Sequence, residues 1–139
     1  MIVSDAMTAQ VVTSKPSDSI KATARIMRDV DTGVVPVSDN GKVVGMVTDR
    51  DIVLRVVAEG GSVDGPVSAI MTPDVLTCRE DDNLADAAAL MGSHQLRRLI
   101  VLNESGKLAG ILSLGDIAHD YGAKKVGLAL EEISAETPH

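Results

Sequence analysis

The same segment occurs twice in this sequence. Residues 3–37 match residues 67–101 at ten positions, and after one inserted residue, residues 41–52 match residues 106–117 at five more. Fifteen identities over 47 aligned positions are several times the roughly three that unrelated stretches of ordinary composition would share. A chain built from such a repeat is expected to fold as two similar units, neither of which can bury its apolar surface alone.

Each repeat is predicted to form a strand, a helix, two strands and a second helix. In repeat 1, the leading strand is predicted in MTAQVVTSKPSDS. The segment IKATARIMRDV then spaces Ile20 and Met27 for one face of a helix that Ser17 or Asp18 would cap. Two β-branched runs flank the Asn-Gly dipeptide at 40–41, which favours a tight hairpin. The run DRDIVLRVVAEGG predicts a second helix that stops at its glycines.

The repeats also predict the domain boundaries. We expect repeat 1 over residues 1–60, a linker over 61–66, repeat 2 over 67–121, and a C-terminal helix and tail over 122–139. Each repeat would expose one apolar sheet face, and packing sheet on sheet would bury both faces. The predicted fold class is therefore α/β, in the mixed α+β sense.

The composition disfavours several classes of function. A net charge of −7 and a pI near 4.8 argue against general binding to nucleic acid or anionic membranes, since both are polyanions. The single cysteine, Cys78, cannot form an intramolecular disulfide. No segment resembles a signal peptide or reaches the roughly 18 apolar residues of a membrane span. We therefore expect a cytoplasmic protein that contacts neither nucleic acid nor membrane.

A hydroxyl residue and an aspartate follow the last strand of each repeat. GMVTDRDIV carries Thr48 and Asp51, and GILSLGDIA carries Ser113 and Asp116. At a helix start this spacing is that of a capping box, in which the two side chains satisfy free backbone amides. Ligand binding is the alternative, because a helix start attracts phosphate and a carboxylate can accept hydrogen bonds from both hydroxyls of a ribose. The two interpretations are compatible, and the sequence leaves both open.

Each of these strands also contains a glycine, Gly45 or Gly110, which would let another backbone or a flat base approach closely. Catalytic chemistry is harder to find. The histidines lie on separate predicted elements without further metal ligands at suitable spacing, and neither Cys78 nor Ser113 has the neighbours of a nucleophile. We predict no enzyme activity and no metal requirement.

Several motifs, of which the openings and the endings occur in both repeats and in the same order, resemble one known family. They are the MT-x-x-V-hydrophobic-T openings at 7–13 and 71–77, the GVVPV strand at 33–37, and the endings GMVTDRDI and GILSLGDI. Together they resemble a stand-alone cystathionine β-synthase (CBS) domain pair, or Bateman module, over about residues 1–120. The resemblance implies two β-α-β-β-α repeats packed sheet to sheet with pseudo-twofold symmetry. It also implies two clefts between the repeats that bind adenosine-containing ligands such as AMP, ADP, ATP, NAD or S-adenosylmethionine.

The resemblance assigns roles to individual residues. It places Asp51 and Asp116 on ribose hydroxyls, and Thr48 and Ser113 on the phosphate or ribose side. The base would be held by main-chain groups of the opposite repeat. One predicted site therefore groups Asp116 with the opening and strand residues of repeat 1, namely Thr8, Val12, Thr32 and Gly33. The other groups Asp51 with the corresponding residues of repeat 2, namely Thr72, Leu76, Leu96 and Arg97.

The resemblance also places Arg97 and Arg98 where many members carry basic residues facing the phosphates. Repeat 1 has Gly33 and Val34 at those positions, and repeat 2 lacks a counterpart of Arg50, so we expect unequal sites. The predicted function is a regulatory sensor that binds an adenosine nucleotide, AMP or ATP first, and signals to an unknown effector protein as a homodimer. The alternative is a non-catalytic dimerisation scaffold with idle clefts.

Overall fold

The computed structural model describes residues 1–121 and divides the chain into two compact units. The early unit is Val11–Val75. The late unit combines Met1–Gln10 with the chain from Leu76 onward. The predicted C-terminal helix and tail over 122–139 lie outside the described residues.

The early unit is built on an antiparallel hairpin. Its elements are helix α1 (Ile20–Asp29), strands β1 (Val34–Asp39) and β2 (Lys42–Thr48), helix α2 (Asp49–Ile52) and strand β3 (Thr72–Pro73). The predicted Asn-Gly turn joins β1 to β2, with φ of 52° at Asn40 and 80° at Gly41. The sheet order is β1-β2-β3, with both pairs antiparallel.

The late unit is also built on an antiparallel hairpin, but its third strand pairs with the first hairpin strand rather than the second. Its elements are strand β4 (Thr77–Arg79), helix α3 (Leu84–Ser93), strands β5 (Arg98–Leu102) and β6 (Leu108–Ser113), and helix α4 (Leu114–Tyr121). Strand β4 pairs parallel with β5, and β5 pairs antiparallel with β6. The predicted mixed α/β class, with one hairpin sheet from each repeat, is confirmed.

The leading strand predicted for each repeat is divided between the two units. In repeat 2, Thr72 joins β2 of the early unit, whereas Thr77 begins β4 of the late unit. In repeat 1, Thr8 bridges Ile111 of the late unit and Ser14 bridges Val37 of the early unit. Each opening therefore forms two short pairings, first with one sheet and then with the other.

Two details of the helices also differ from expectation. Ser19, rather than Ser17 or Asp18, caps α1, because its hydroxyl accepts from the Ala22 N–H at 3.0 Å. The Asp18 carboxylate instead accepts from the Lys15 N–H in the preceding turn. The second helix of repeat 1 is α-helical only over Asp49–Ile52 and continues as a π-helical turn over Val53–Val57.

Each unit has an aliphatic core, as a chain with almost no aromatic residues requires. Val3, from the opening of repeat 1, is fully buried in the late core, where Ala6 is the other buried residue from repeat 1 and the rest come from repeat 2. Val67, from the opening of repeat 2, is fully buried in the early core, where Ile70 is the other buried residue from repeat 2 and the rest come from repeat 1. Each unit therefore contains most of one repeat and the first residues of the other.

Candidate functional site

Both predicted capping boxes are present. In the early unit, the Asp51 N–H donates to Thr48 Oγ1 at 3.2 Å, and the Thr48 N–H donates to Asp51 Oδ2 at 2.9 Å. In the late unit, Ser113 and Asp116 form the same pair of hydrogen bonds, each at 3.1 Å. The structure thus confirms the capping role of all four residues and holds each carboxylate at the start of a helix.

The two carboxylates differ in their charged neighbours. Asp51 Oδ1 lies 3.8 Å from Arg55 Nε, four residues along the same helix. The Arg55 guanidinium also donates to the Ile70 carbonyl at 3.3 Å. Within residues 1–121, Asp116 has no such ion pair.

The first strand of each hairpin begins beside its own capping box. The Gly33 carbonyl accepts from the Asp49 N–H at 3.0 Å, and the Arg97 carbonyl accepts from the Leu114 N–H at 3.1 Å. Arg98 is paired with Ser113 across the hairpin. An antiparallel hairpin brings the start of one strand next to the end of its partner. The hairpin was predicted from the sequence, but the predicted groups of site residues did not take this proximity into account.

The opening of each repeat reaches the hairpin of the other repeat. Thr8 exchanges both backbone hydrogen bonds with Ile111, at 2.9 and 3.0 Å, in the strand that leads to Ser113. Thr72 is the register partner of Met46, in the strand that leads to Thr48. The structure thereby places Thr8 in the unit of Asp116 and Thr72 in the unit of Asp51.

The strand glycines make this approach possible. A Cβ added at Gly110 would lie 2.5 Å from the Thr8 carbonyl oxygen, and one added at Gly45 would lie 2.9 Å from the Thr72 carbonyl oxygen. Both distances are too short for a real side chain. The sequence left either another backbone or a flat base as the neighbour of each glycine. In the structure, another backbone occupies this space.

Other predicted site residues fall in the unit opposite to their predicted group. Val12 and Gly33 belong to the early unit with Asp51, whereas Leu76 and Arg97 belong to the late unit with Asp116. The groupings across repeats stay predictions. We define the early site as Thr48, Asp51, Thr72 and Gly33, and the late site as Ser113, Asp116, Thr8, Arg97 and Arg98.

The remaining candidates are exposed or uninvolved. Val12 and Leu76 are 45% and 39% exposed, which leaves each side chain accessible for contact. The Arg50 side chain is exposed, and the Arg50 N–H donates to its neighbour Asp49. Cys78 is buried, and burial raises the pKa of its thiol to about 11. A buried thiol of that pKa is a poor nucleophile.

A metal-binding cluster and a membrane-spanning helix are both absent from residues 1–121. In that part of the chain, no group of three His, Cys, Asp or Glu side chains could hold a metal ion. None of its helices is long and apolar enough to cross a bilayer.

The chain is similar to known proteins over nearly its whole length. It is 38% identical over 138 residues to the CBS domain-containing protein YhcV of Bacillus subtilis, covering 99% of this chain and 98% of that protein. It is 25% identical, with a TM-score of 0.79, to the solved CBS domain protein PAE2072 from Pyrobaculum aerophilum, which is complexed with AMP. That match covers 97% of this chain and 99% of the other.

A second solved structure is the CBS domain pair of protein MJ0100 in complex with 5′-methylthioadenosine and S-adenosylmethionine. It is 26% identical with a TM-score of 0.78, and the match covers 88% of this chain and 100% of that one. The CBS domain family model matches residues 3–58 and 67–122. The chain therefore belongs to the CBS domain family, as two tandem copies of that domain.

Proposed function

We propose that this protein is a regulatory module that binds an adenosine-containing nucleotide, AMP or ATP first, and signals its presence to an effector protein. The observation that carries this proposal is the arrangement found in each unit. A carboxylate and a hydroxyl are fixed at a helix start, next to a hairpin strand whose glycine admits the backbone of a Met-Thr opening. A dimerisation scaffold would need the helix cap, but it would not need the cap, the hairpin glycine and the Met-Thr opening together in both units.

The capping role leaves the carboxylates able to bind a ribose. An ionised carboxylate has about four acceptor sites on its two oxygens. The Asp116 cap uses one hydrogen bond to Oδ2, and the Asp51 cap does the same. The free acceptor sites of each carboxylate can receive the 2′ and 3′ hydroxyls of one ribose.

The backbone and apolar residues supply the rest of a nucleoside site. Main-chain groups near Thr8 and Thr72 can pair with the edge of an adenine ring. The exposed aliphatic side chains Val12 and Leu76 can cover its flat face. Recognition of the base through main-chain atoms also explains why the sequence contains no base-specific side chain.

The named ligands of the solved relatives support the same ligand class. PAE2072 is complexed with AMP, and the MJ0100 pair with 5′-methylthioadenosine and S-adenosylmethionine. Adenine and ribose are common to all three molecules, whereas phosphate is not. An acid that binds ribose is the feature these ligands would all require.

One observation favours the alternative of a dimerisation scaffold without ligand. Val53, Leu54 and Val57 are 54%, 47% and 65% exposed on the second helix of repeat 1, a surface that a second copy could cover. A homodimer is compatible with both functions. Gel filtration at micromolar concentration tests it, and a strict monomer would contradict the scaffold.

Calorimetric titration of protein stripped of nucleotide separates the two functions. We expect saturable binding of at least one of AMP, ADP, ATP, NAD and S-adenosylmethionine. Loss of charge-assisted hydrogen bonds of roughly 1.5–3 kcal/mol should weaken the altered site at least about tenfold in Asp51→Ala or Asp116→Ala. The control Asp39→Ala removes an exposed carboxylate from the hairpin and should bind as wild type. If the wild-type protein binds none of the five ligands, the dimerisation scaffold is the remaining function.

A further inference from the structure

The second helix of repeat 1 changes its winding just after the early site. It is α-helical over Asp49–Ile52 and π-helical over Val53–Val57, where the Ala58 N–H donates to the Val53 carbonyl at 2.9 Å, five residues back instead of four. Turns of this kind are rare and occur mostly as single interruptions of α-helices, frequently at functional sites. The winding of this turn sets the direction of the side chains that follow it.

Two side chains of the π-helical turn fix it to the rest of the early unit. Val56 is buried and belongs to the early core. The Arg55 guanidinium lies 3.8 Å from Asp51 Oδ1 through its Nε and donates to the Ile70 carbonyl at 3.3 Å. Arg55 therefore joins three parts of the early unit: the carboxylate of the early site, the π-helical turn, and the opening of repeat 2 just before Thr72.

The two carboxylate oxygens of Asp51 have different neighbours. Oδ2 accepts the Thr48 N–H of the helix cap at 2.9 Å, and Oδ1 lies 3.8 Å from Arg55 Nε. The latter distance is that of an ion pair without a direct hydrogen bond. Such a contact between exposed groups is weak, so a hydroxyl that donates directly to Oδ1 can displace it.

Repeat 2 offers the natural comparison, because it carries Asp120 at the position of Arg55. A carboxylate there cannot form an ion pair with the Asp116 carboxylate. The positions equivalent to residues 53–56 are residues 118–121, and these are α-helical in α4. Among residues 1–121, the π-helical turn is thus found in the repeat whose capped aspartate has an arginine partner, and not in the other.

We propose that Arg55 is a positioning residue that couples the occupancy of Asp51 to the winding of this helix. Without a ligand, the contacts of its guanidinium with Asp51 and the Ile70 carbonyl hold the π-helical turn. A ribose bound to Asp51 displaces the guanidinium, and the turn relaxes to an α-helical one, in which the Ala58 N–H donates to the Leu54 carbonyl. A ligand shifts an equilibrium only through different affinities for its two states, so the ribose binds the α-helical state more tightly.

The change of winding reaches an exposed apolar surface. Val53, Leu54 and Val57 are all exposed on this helix. Successive residues of an α-helix are turned by about 100°, so removing one residue from the turn redirects the side chains beyond it. A ligand at Asp51 would thereby alter the surface that a partner meets. This inference rests on the proposed function and adds the path by which the early site transmits its occupancy.

The first test follows the Ala58 hydrogen bond by NMR, since scalar coupling across a hydrogen bond identifies the acceptor carbonyl. In nucleotide-stripped wild-type protein, we expect coupling between the Ala58 amide and the Val53 carbonyl. In Arg55→Ala without ligand, the coupling should move to the Leu54 carbonyl. Saturating 5′-methylthioadenosine should produce the same change in the wild type. This ligand has adenine and ribose but no phosphate, so a phosphate does not attract the guanidinium.

Calorimetry provides a second readout, in full-length Asp116→Ala protein whose late site is weakened. 5′-Methylthioadenosine should bind at least about twofold more tightly when Arg55→Ala is added, because the ligand no longer displaces an exposed ion pair. A purely structural role of Arg55 predicts weaker binding instead. The matched control is Arg28→Ala, which removes an exposed ion pair with Asp29 from α1 and should change neither the Ala58 hydrogen bond nor the affinity.

Three results would overturn the inference: an Ala58 amide that stays coupled to Val53 in Arg55→Ala, one that stays coupled to Val53 in the liganded wild type, or an affinity that is unchanged or lower without Arg55. Failure of 5′-methylthioadenosine to bind would overturn it too. The liganded wild type needs no substitution, so it decides the matter if Arg55→Ala does not fold. The proposed function fails by a different result, namely absence of binding of all five panel ligands to the wild type.

Discussion

At the scale of single residues, Asp51 and Asp116 have a structural role that is independent of any ligand. Each accepts a backbone N–H from the residue whose hydroxyl caps its helix. Such capping orients the carboxylate before a ligand arrives, so little conformational entropy is lost on binding. The same carboxylate would serve as helix cap and as the proposed ribose acceptor, so a loss of stability alone does not distinguish the two roles.

The cap of α4 can be tested through its hydroxyl. Ser113→Ala should destabilise the protein by about 1 kcal/mol, because the Asp116 N–H loses its acceptor. Ser113→Thr introduces the residue of repeat 1 and should retain wild-type stability. Urea unfolding of the three proteins checks this, and equal midpoints for all three would contradict the cap.

The stability of the protein should also depend on Cys78 at alkaline pH. Burial, with a smaller effect of the charge on Asp82, raises the pKa of the thiol from 9.0 to about 11. The unfolded thiol ionises first, so the folded state loses stability as the pH rises from about 9 towards 11, by up to roughly 2–3 kcal/mol.

Urea unfolding across this pH range should show a steeper loss for wild type than for Cys78→Ser, which carries the residue found at the same position of repeat 1. Only the difference between the two pH profiles matters, since other groups titrate equally in both proteins. Parallel profiles would show that Cys78 does not contribute.

At the scale of elements, the hairpin organises each site. It joins the start of its first strand to the helix start after its second strand, and its glycine receives the opening of the other repeat. Three segments that are distant in sequence thus meet at one capped helix. The glycine is the most constrained position among them.

Gly110→Ala should destabilise the protein by roughly 1–3 kcal/mol, because the new methyl group would lie 2.5 Å from the Thr8 carbonyl and force the opening away. It should also weaken ligand binding at the late site. Gly115→Ala is the control, since its Cβ meets only Ser113 Oγ at 3.6 Å and alanine favours a helix. A lower melting temperature for Gly115→Ala than for Gly110→Ala would contradict this account.

The sequence was sufficient for the elements that depend on local signals. The hairpin at Asn40, helices α1 and α3, and both capping boxes follow from periodicity, turn residues and spacing. The path of the openings did not follow, because a strand that leaves one sheet for another has no local signature. The π-helical turn over Val53–Val57 also had no signal in an otherwise regular helical pattern.

At the scale of the whole molecule, the two units are not the two repeats. Met1–Gln10 belongs to the late unit, and the linker with the opening of repeat 2 belongs to the early unit. Each core is completed by a valine from the other repeat, Val3 or Val67. A substitution in either opening should therefore destabilise the unit into whose core that opening packs.

Val3→Ala and Val67→Ala should each cost about 2 kcal/mol, from lost apolar burial and the cavity left behind. Native-state hydrogen exchange locates the effect. Val3→Ala should speed exchange in β5 and β6, and Val67→Ala should speed exchange in β1 and β2. The reverse pattern, with each variant loosening its own repeat, would contradict the exchange of openings.

The proposed function requires that each unit hold an adenosine ligand at its capped aspartate. The most direct measurement is an amide NMR titration of nucleotide-stripped wild-type protein with AMP. We predict saturable shifts at the late site, for the amides of Thr8, Ser113 and Asp116. Resonances that stay unchanged through millimolar AMP, or that move only far from both capped helices, would contradict the account.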